Sequence, residues 1–534
     1  MEKPKIIFIM TDTTRFDMLG CYGNKQMITP NIDKLASEGI RFDRAYTCQP
    51  VCGPARSAIF TGMYPHSNGS WANSLPLYAN VKTIGQRLKD TGVETAYIGK
   101  WHLDGSDYFG NGICPDGWNP DYWYDMRTYL YEMDIKERFR SRLTKTMLEN
   151  GGIKENYTFG HKCTDKAIDF VEKFKDDSFF LTLSYDEPHG PSLCPEPFSS
   201  MYKGYKFPES PNIDDKLEGK PDFQKYWAEE AAKYNNDGLN DFYNMMFGCN
   251  SYIDYEIGRL IEAIEKHTPD ALIVFTSDHG DMMGAHGLSS KACAIYDEIT
   301  RVPLIVKGKN LPAGKVYKEQ VSHISLTPTF LEYMGLSTPP PLQGESIINI
   351  IRKPDEEREK KPVFMEFGRF ELIHDGVGGF QMMRAVFDGR YKLAINFTDT
   401  DEMYDLENDP YEMNNIINNE NYADIRNKLH DEILEMMNIT RDPFRGYQWG
   451  KRMWRQEYKP EYGFYWVDGL SRQINIEGYE PDQLEYWTGL EVLNPHQLPN
   501  VYNEELIDEM IIKQEEREKL DSELLRDQHL EKLC

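Results

Sequence analysis

The residues of this chain that could do chemistry follow the ends of predicted strands. Short apolar runs predict buried strands at 5–10, 93–99, 179–185 and 271–277. The polar side chains that come after these runs are Asp12, Lys100, His102, Asp186, His189, Asp278 and His279, with Lys291 a little further along the chain. Because ligand sites in open α/β sheets form at the carboxyl ends of strands, we expect these side chains to share one rim.

Two of these side chains indicate a bound cation. Asp12 and Asp278 would repel each other at close range unless a cation neutralised them. Oxygen ligands with one imidazole suit a hard or borderline divalent cation such as Ca²⁺, Mg²⁺ or Mn²⁺ better than a zinc site built from thiolates. The rim is therefore predicted to hold a divalent metal ion.

The basic side chains indicate an anionic substrate. Lys100, Lys291 and Arg56 supply the positive charge that a tetrahedral anion needs, and His102 and His189 are available for proton transfer. Together these residues predict a metal-dependent hydrolase that acts on a sulfate-like or phosphate-like ester.

The segment that begins at Cys52 carries a specific motif. Residues 52–62, CGPARSAIFTG, match the signature C/S-x-P-x-R-x-x-x-x-T-G at each defined position. Other matching segments are D-x-x-R-x-D-x-L-G-C-Y-G at 12–23, T-P-N-I-D-x-L at 29–35, G-K-W-H at 99–102, P-H at 188–189, D-H-G at 278–280, a lysine before Y-x-E-x-x-R-V-P at 291–303, G-R-Y-K-L at 389–393 and Y-D-L-x-x-D-P at 404–410. On these motifs, residues 4–440 resemble the sulfatase family, the formylglycine-dependent type I sulfatases of the alkaline-phosphatase-like superfamily.

The resemblance implies a chemistry that begins with a modified cysteine. A formylglycine-generating maturase would oxidise Cys52 to Cα-formylglycine, whose hydrate is the nucleophile. One hydroxyl would attack sulfur and expel the alcohol, and the other would return to the aldehyde as inorganic sulfate leaves. The implied substrate is a small anionic sulfate ester, with aryl, steroid and carbohydrate sulfates all left open.

The resemblance also implies a role for each rim residue. One divalent ion is implied, with Ca²⁺ ahead of Mg²⁺ and Mn²⁺. Its implied ligands are Asp12, Asp278, His279 and the modified Cys52. The implied catalytic residues are Arg56 and Lys100 at the nucleophile, His102 as proton acceptor, His189 as proton donor to the leaving oxygen and Lys291 at the sulfate.

Thr13 departs from the family pattern. Sulfatases commonly carry a second carboxylate at this position, and many carry Asn where this chain has His279. A threonine hydroxyl or a water would take the place of the missing carboxylate, so Thr13 is also a candidate metal ligand. The same departures resemble the phosphonate monoester hydrolases of the superfamily. The predicted function is thus a sulfuric ester hydrolase, with a phosphonate monoester or phosphodiester hydrolase as the alternative and a non-catalytic binding protein as the minor one.

The elements that must position these residues predict an α/β sandwich with a large, mostly parallel central sheet. A further strand is predicted at 302–306, and helices are predicted at 29–39, 81–92, 161–175, 240–266 and 325–335. A β-hairpin at 382–397 and a helix at 421–437 predict a small α+β subdomain with an antiparallel sheet. The predicted divisions are a catalytic domain at 1–360, the subdomain at 361–440 and an aromatic-rich, helical extension at 441–534, through which a homo-oligomer would form.

Composition excludes several other classes of protein. The 534 residues carry a formal net charge of −27, which argues against nucleic-acid binding. No uncharged apolar run is long enough for a membrane span, and the start of the chain lacks the pattern of a secretory signal. The nine cysteines are scattered without a CxxC pair. We therefore expect a cytoplasmic protein without structural disulfides.

Other candidate residues have simpler interpretations. His66, His286 and His323 are expected to make local hydrogen bonds. Three interpretations stay open for four aromatic and basic side chains: they line a substrate pocket, form a protomer interface or cover the core. These side chains are Trp449, Arg452, Trp454 and Arg455.

Overall fold

A mixed sheet of eight strands lies at the centre of the computed structural model, which describes residues 3–148, 152–207, 210–234, 239–372 and 380–457 with Glu516 and Lys519. The strands of this part of the chain are β1 (Lys5–Asp12), β2 (Ile40–Tyr46), β3 (Glu94–Gly99), β4 (Trp123–Tyr124), β5 (Phe179–Pro188), β6 (Leu272–Ser277), β7 (Arg301–Lys307), β8 (Lys315–Ser322), β9 (Val363–Phe367), β10 (Met383–Phe387), β11 (Tyr391–Asn396) and β12 (Glu402–Asp405).

Helices cover both faces of this sheet. The α-helices are α1 (Pro30–Ser37), α2 (Cys52–Thr61), α3 (Pro65–Asn68), α4 (Ile84–Leu88), α5 (Met126–Tyr131), α6 (Ile135–Arg140), α7 (Thr144–Leu148), α8 (Phe159–Lys173), α9 (Phe198–Met201), α10 (Asp222–Tyr234), α11 (Leu239–His267), α12 (Asp297–Thr300), α13 (Leu326–Tyr333), α14 (Ile348–Arg352), α15 (Ala423–Ile439) and α16 (Tyr447–Gly450). The predicted aromatic-rich, helical extension lies outside the described residues beyond residue 457, apart from Glu516 and Lys519.

The large sheet is mostly parallel. Its strand order is β4-β3-β5-β1-β6-β7-β2-β8, and β7 runs antiparallel to both of its neighbours. The four parallel strands β3, β5, β1 and β6 are adjacent, so their carboxyl ends meet at one edge. The topology therefore collects the residues that follow these strands.

Alternate side chains of β1 enter two different cores. Ile6, Phe8 and Met10 pack with α2, α4, α13 and α14 on one face. Ile7 and Ile9 pack with α1, α8 and α11 on the other. All eight residues of this strand are buried, and residues 6–10 form the continuous apolar run that is expected of a strand covered on both faces.

A second sheet follows in the C-terminal part of the described chain. Its order is β12-β11-β10-β9, with every pair antiparallel. One face of this sheet packs against the part of the chain that carries the large sheet, through Tyr46, Trp227 and Ile299. The other face is covered by α15. The predicted α/β sandwich with a small antiparallel sheet is confirmed, whereas the division at 360 and 440 stays a prediction.

The prediction was incomplete at the edges of the large sheet. Strands β2, β4 and β8 were missed, and β4 and β8 are the two edge strands. Edge strand β8 mixes exposed lysines with buried valine and serine, so it lacks a long apolar run. Within the described ranges, no helix is both long and apolar enough to cross a membrane.

Candidate active site

Two buried carboxylates form the centre of the site. Asp12 ends β1 and Asp278 follows β6, and neither side chain is exposed. Burial favours the neutral form of each, but the positive charges of Lys100, His189 and Arg56 hold the pKa of Asp12 well below its usual value. Burial and the nearby negative charge of Asp12 raise the pKa of Asp278 to about 7. Asp12 is thus ionised at neutral pH, whereas the positive charges near Asp278 are too few to keep its carboxyl group fully ionised.

Cys52 faces these carboxylates from the first residue of α2. Its Sγ lies 3.1 Å from His279 Nε2 and 3.7 Å from Asp12 Oδ1. The helix ends at Gly62, whose φ of 69° is left-handed and suits glycine. Burial and Asp12 favour the neutral thiol, but Lys291, Lys100 and His279 outweigh them and lower the pKa of Cys52 to about 5.

His279 presents one ring nitrogen to the same space. Its Nδ1 donates to the carbonyl of Gly280 at 2.8 Å, which directs Nε2 toward the two carboxylates. Burial favours the neutral ring, but Asp278 and Cys52 outweigh it and raise the pKa of His279, so a bound cation would take the place of the Nε2 proton. Nε2 lies 3.9 Å from Asp12 Oδ1 and 3.7 Å from Asp278 Oδ1. This orientation is the one that a metal ligand requires.

The donor atoms fit a divalent cation. One ligand atom each from Asp12, Cys52, Asp278 and His279 lies within 4.8 Å of the others. Ligands at right angles around an ion about 2.3–2.6 Å away are about 3.3–3.7 Å apart, close to the separations found here. Two carboxylates and one imidazole suit a hard or borderline cation, and an oxygen at position 52 would complete such a set.

Arg56, one turn along α2 from Cys52, bridges the two carboxylates. Its Nη2 donates to Asp12 Oδ2 at 3.0 Å and its Nε to Asp278 Oδ2 at 3.1 Å. Its Nη1 donates to the Lys100 carbonyl and the Ser184 hydroxyl, both at 2.7 Å. The guanidinium thus contacts the Oδ2 atoms of Asp12 and Asp278 and does not contact their Oδ1 atoms, which face the space beside Cys52.

Lys100 is held against the carboxylates by a close approach of β3 and β5. Its Nζ lies 2.8 Å from Asp12 Oδ2 and 3.1 Å from Asp186 Oδ1. The preceding Gly99 has φ 117°, and a Cβ on it would lie 1.8 Å from the Ser184 carbonyl oxygen. Only glycine allows the backbone to turn Lys100 into the site here.

The two proton-transfer candidates are in different surroundings. His102 is buried, and neither of its ring nitrogens has a hydrogen-bond partner in the described chain. Burial, Lys100 and Arg56 lower its pKa to about 3. The His189 side chain is 26% exposed, and its Nδ1 donates to the Gly190 carbonyl at 2.9 Å. Burial, Lys100 and Lys291 lower its pKa to about 4.

Lys291 and Thr13 complete the set of predicted residues. Lys291 is 7% exposed and close enough to lower the pKa values of Cys52, Asp12 and His189. The Thr13 hydroxyl donates to Asp12 Oδ1 at 2.7 Å, and its backbone N–H donates to Asp278 Oδ1 at 3.2 Å. Its φ of 73° is unusual for a β-branched residue. Thr13 therefore contacts both carboxylates, although it adds no negative charge.

Sequence reasoning missed residues that support the site. The Asn73 side-chain oxygen accepts from Gly53 N at 2.8 Å, next to Cys52, and Asn73 pairs with Glu371 in an isolated parallel bridge. Arg142 lies 3.4 Å from Asp186. No local motif marks either side chain, because long-range pairing brings each one to the site.

The other candidates are structural. His286 stacks on Tyr296 at 3.8 Å, and the rings of His66 and His323 bond Thr440 and Thr276, each at 2.9 Å. In the aromatic segment Trp449 is 2% exposed and belongs to the core under α15. The remaining members pair with nearby acids, Arg452 and Trp454 with Asp401 and Arg455 with Asp431. These contacts favour the core-cover interpretation.

Comparison with known proteins identifies similar families and relatives. A family model described as Sulfatase matches residues 4–336, and one described as N-sulphoglucosamine sulphohydrolase, C-terminal, matches residues 284–439. The chain is 41% identical over 497 residues to the uncharacterized sulfatase YidJ of Escherichia coli K12, which covers 92% of this chain and 97% of the relative.

Two further similarities are more distant. The chain is 27% identical over 519 residues to an N-acetylglucosamine-6-O-sulfatase of Bacteroides thetaiotaomicron, covering 83% of this chain and 87% of the relative. The solved phosphonate monoester hydrolase SpPMH from Silicibacter pomeroyi aligns with a TM-score of 0.70 at 20% identity, covering 82% of this chain and 96% of that one. The latter match shows the shared fold alone.

Proposed function

Because this chain belongs to the sulfatase family, we propose that it cleaves a sulfate ester through a nucleophile derived from Cys52 and releases inorganic sulfate. It is an enzyme of the sulfuric ester hydrolase class. The observation that carries the proposal is the position of Cys52, whose Sγ lies among Asp12, Asp278 and His279 at the start of α2.

Among aryl, steroid and carbohydrate esters, we place carbohydrate sulfates first. The C-terminal match to the N-sulphoglucosamine sulphohydrolase model supports this choice, as does the similarity to an N-acetylglucosamine-6-O-sulfatase. Both names refer to sulfated amino sugars, so a sulfated amino sugar is the first substrate to examine.

The same four residues would hold the proposed metal ion, and one of them is the modified cysteine. Asp12, Asp278 and His279 would hold a divalent cation together with the residue at position 52, in a site that fits such an ion. When bound, the cation would supply Lewis acidity to a sulfate oxygen, and formylglycine at position 52 would supply a hydroxyl nucleophile. Ca²⁺ is the proposed ion, with Mg²⁺ and Mn²⁺ as alternatives, and a maturase would make the modification.

Three basic side chains would orient the reacting groups. Arg56 keeps the two carboxylates apart and their Oδ1 atoms directed toward position 52. Lys100 and Lys291 are both buried cations beside the acids of the site. Lys100 would hold the nucleophile at position 52 and also reach a sulfate oxygen, and Lys291 would bind the sulfate from the other side. Burial strengthens such contacts because water screens them little.

Two histidines would move protons. His102 has a strongly lowered pKa, so it is neutral and able to accept a proton at neutral pH. His189 fixes its Nδ1 on Gly190, which leaves Nε2 for the leaving oxygen. A sulfate anion between Lys100 and Lys291 would offset the charges that lower the pKa of His189, and so would favour its acidic form in the complex.

The modification is tested by mass spectrometry of the chain purified from its native host. The tryptic peptide that ends at Arg56, residues 45–56, should be about 18 Da lighter than the unmodified thiol form, because an aldehyde replaces the CH₂SH group. Fragment ions should place the change at Cys52 rather than Cys48, which lies in the same peptide and bonds Ser322. An unmodified thiol in active protein would contradict the mechanism.

Activity is tested on the same preparation. Release of inorganic sulfate from N-acetylglucosamine 6-sulfate, phenyl sulfates and steroid sulfates is measured beside hydrolysis of phenyl phosphonate esters. Cys52→Ala should abolish turnover, whereas Cys48→Ala should keep it. Failure of the wild-type chain on every sulfate ester would contradict the proposal.

The phosphonate alternative rests on Thr13. With one carboxylate fewer, the site is more positive by one charge than a site with aspartate there. Sulfate monoesters and phosphonate monoesters each carry one negative charge at neutral pH, so this alternative rests on the resemblance at position 13 and not on the charge of the substrate. Faster turnover of phosphonate than of sulfate esters would favour this alternative. The cytoplasmic location and a homo-oligomer stay predictions.

A further inference from the structure

Asp186 is a buried carboxylate of the site to which the proposed mechanism gives no role. It lies near the end of β5 and is 2% exposed. Its Oδ1 lies 3.1 Å from Lys100 Nζ and 3.9 Å from His189 Nδ1. One oxygen of a single carboxylate therefore lies within ion-pair distance of the Lys100 amine and faces the ring of the proposed general acid, whose Nδ1 proton is donated to Gly190.

Arg142 fixes the other oxygen of Asp186. Its Nη2 lies 3.4 Å from Asp186 Oδ2 and 3.3 Å from the Gly190 carbonyl oxygen, which also accepts from His189 Nδ1. Arg142 and His189 thus share one acceptor, the Gly190 carbonyl oxygen, and they approach different oxygens of Asp186. This geometry limits the rotation of the imidazole.

Tyr108 covers the same group of side chains. Its hydroxyl lies 3.2 Å from Arg142 Nη2, and its ring centre lies 5.2 Å from Lys100 Nζ and 5.8 Å from the His189 ring. An aromatic face near two cations excludes water and strengthens the ion pairs beneath it. The Asp186 contacts are therefore made in a largely dry environment.

We propose that Asp186 is a positioning residue that, with Arg142, holds His189 and Lys100 in the orientation needed to protonate the leaving oxygen and to bind the sulfate. This proposal rests on the proposed function. The carboxylate does not touch substrate, and it acts through the direction of the His189 ring and the place of the Lys100 amine.

The neighbouring Glu187 provides a matched control. It is also a buried carboxylate at the end of β5, with 6% of its surface exposed. Its side chain leaves the strand on the opposite face, where Oε1 accepts from Gly160 N at 2.9 Å at the start of α8. Asp186→Asn and Glu187→Gln are isosteric changes at adjacent buried positions. Burial and Asp186 raise the pKa of Glu187 to about 7, so the control change removes less negative charge at neutral pH than Asp186→Asn does.

The test is a double-mutant cycle with His189→Ala, measured as kcat/KM on any ester that the wild-type chain hydrolyses. If Asp186 acts through His189, Asp186→Asn should lower kcat/KM about 10-fold or more alone, and much less in the His189→Ala background. Glu187→Gln should have the same effect in both backgrounds. Equal losses from Asp186→Asn in the two backgrounds would overturn the proposal.

The leaving group gives an independent readout. A misplaced general acid matters more as the leaving alcohol becomes more basic. On substituted phenyl sulfates, Asp186→Asn should therefore steepen the dependence of log kcat/KM on the pKa of the phenol, whereas a merely structural defect would lower all rates equally. An unchanged slope with lowered rates would count against the proposal.

A second variant tests the proposal even if Asp186→Asn fails to fold. Arg142→Gln keeps the carboxylate but removes its guanidinium partner, so it should change the slope in the same direction by a smaller amount. Circular dichroism and thermal unfolding confirm that each variant is folded. A wild-type chain that cleaves none of the esters would contradict the proposed function itself, before any variant is compared.

Discussion

The side chain at position 13 contributes to the charge of the proposed metal site. Thr13 donates its hydroxyl hydrogen to Asp12 Oδ1 and adds no charge of its own. The cations Arg56 and Lys100 contact the other oxygen of Asp12. A carboxylate at this position would instead add a hard anionic ligand, and the number of charged oxygen ligands tunes affinity for divalent cations. Cation affinity should therefore respond to this one residue.

Thr13→Asp should bind Ca²⁺ about 10-fold or more tightly than the wild-type chain, because it adds a negative ligand beside Asp12. Isothermal titration calorimetry of the metal-free protein measures this affinity directly. Thr13→Asn is the matched control, since Asn and Asp both tolerate the φ of 73° but only Asp carries charge. Equal Ca²⁺ affinity in the two variants would show that position 13 does not reach the ion.

Secondary-structure elements place the reacting side chains through a few close approaches. Strands β3 and β5 approach at Gly99, and the turn there directs Lys100 toward Asp12. Gly92, which precedes β3, also has a positive φ of 78°, but a Cβ on it would meet nothing within 4 Å. A side chain at position 92 would therefore meet backbone strain alone, whereas a side chain at position 99 would meet both backbone strain and a steric clash.

Gly99→Ala should destabilise the fold by more than about 3 kcal/mol, because a Cβ 1.8 Å from a backbone oxygen forces the two strands apart. Gly92→Ala should cost only about 1–2 kcal/mol, the strain of the left-handed backbone. Urea unfolding followed by circular dichroism measures both changes. Similar losses for the two variants would contradict the importance of the β3–β5 approach.

The contact of α15 with α16 should depend on pH. His430 on α15 bonds the Trp449 carbonyl at 2.8 Å and accepts from Arg455 at 3.0 Å, and burial lowers its pKa from 6.5 to about 4. The folded chain thus binds fewer protons here than the unfolded chain, so the stabilisation is complete above pH 6.5 and falls as the pH drops toward 4. Wild type should therefore lose stability between pH 7 and pH 4. His430→Gln should lose up to about 3 kcal/mol less over the same range, because it lacks the group that binds the proton. Parallel loss in the two proteins, measured by urea unfolding, would contradict this.

Much of this arrangement could be predicted from sequence, because the residues that carry it follow buried apolar strands. Asp12 and Asp278 were found in this way, and the cysteine motif located α2. The reversed direction of β7 could not be predicted, since an apolar run does not reveal its partner's direction. The roles of Asn73 and Arg142 were missed for a similar reason, because each depends on contacts with distant parts of the chain.

The whole molecule joins its two sheets through buried ion pairs. Lys392 on β11 of the small sheet has no exposed side-chain surface, and its Nζ lies 2.5 Å from Asp297 on α12 and 3.0 Å from Glu412. It also donates to the Ile295 carbonyl at 2.8 Å, four residues beyond Lys291. The segment that carries a proposed sulfate-binding lysine is thus anchored to the C-terminal sheet.

Lys392→Met should destabilise the protein by about 3–5 kcal/mol, because it removes the nearest buried counter-charge of Asp297 and the amine that donates to Glu412 and to the Ile295 carbonyl. Thermal unfolding measures the loss, and sulfate release should fall as the Lys291 segment loosens. Arg390→Met, which removes the partly exposed pair with Asp405, is the matched control and should change stability little. Equal effects of the two changes would contradict a special role for the buried pair.

The bridge that Arg56 makes between Asp12 and Asp278 bears on the order in which this protein is assembled. The guanidinium already satisfies one oxygen of each acid, so the site can form before any cation arrives. Metal binding would then occur at a site that is already folded, and it would not be coupled to folding. Chelation should accordingly silence the enzyme while leaving its circular dichroism unchanged, and added Ca²⁺ should restore turnover without a slow refolding phase. A chain built in this way can be synthesised where the cation is scarce and become active later, once it meets one.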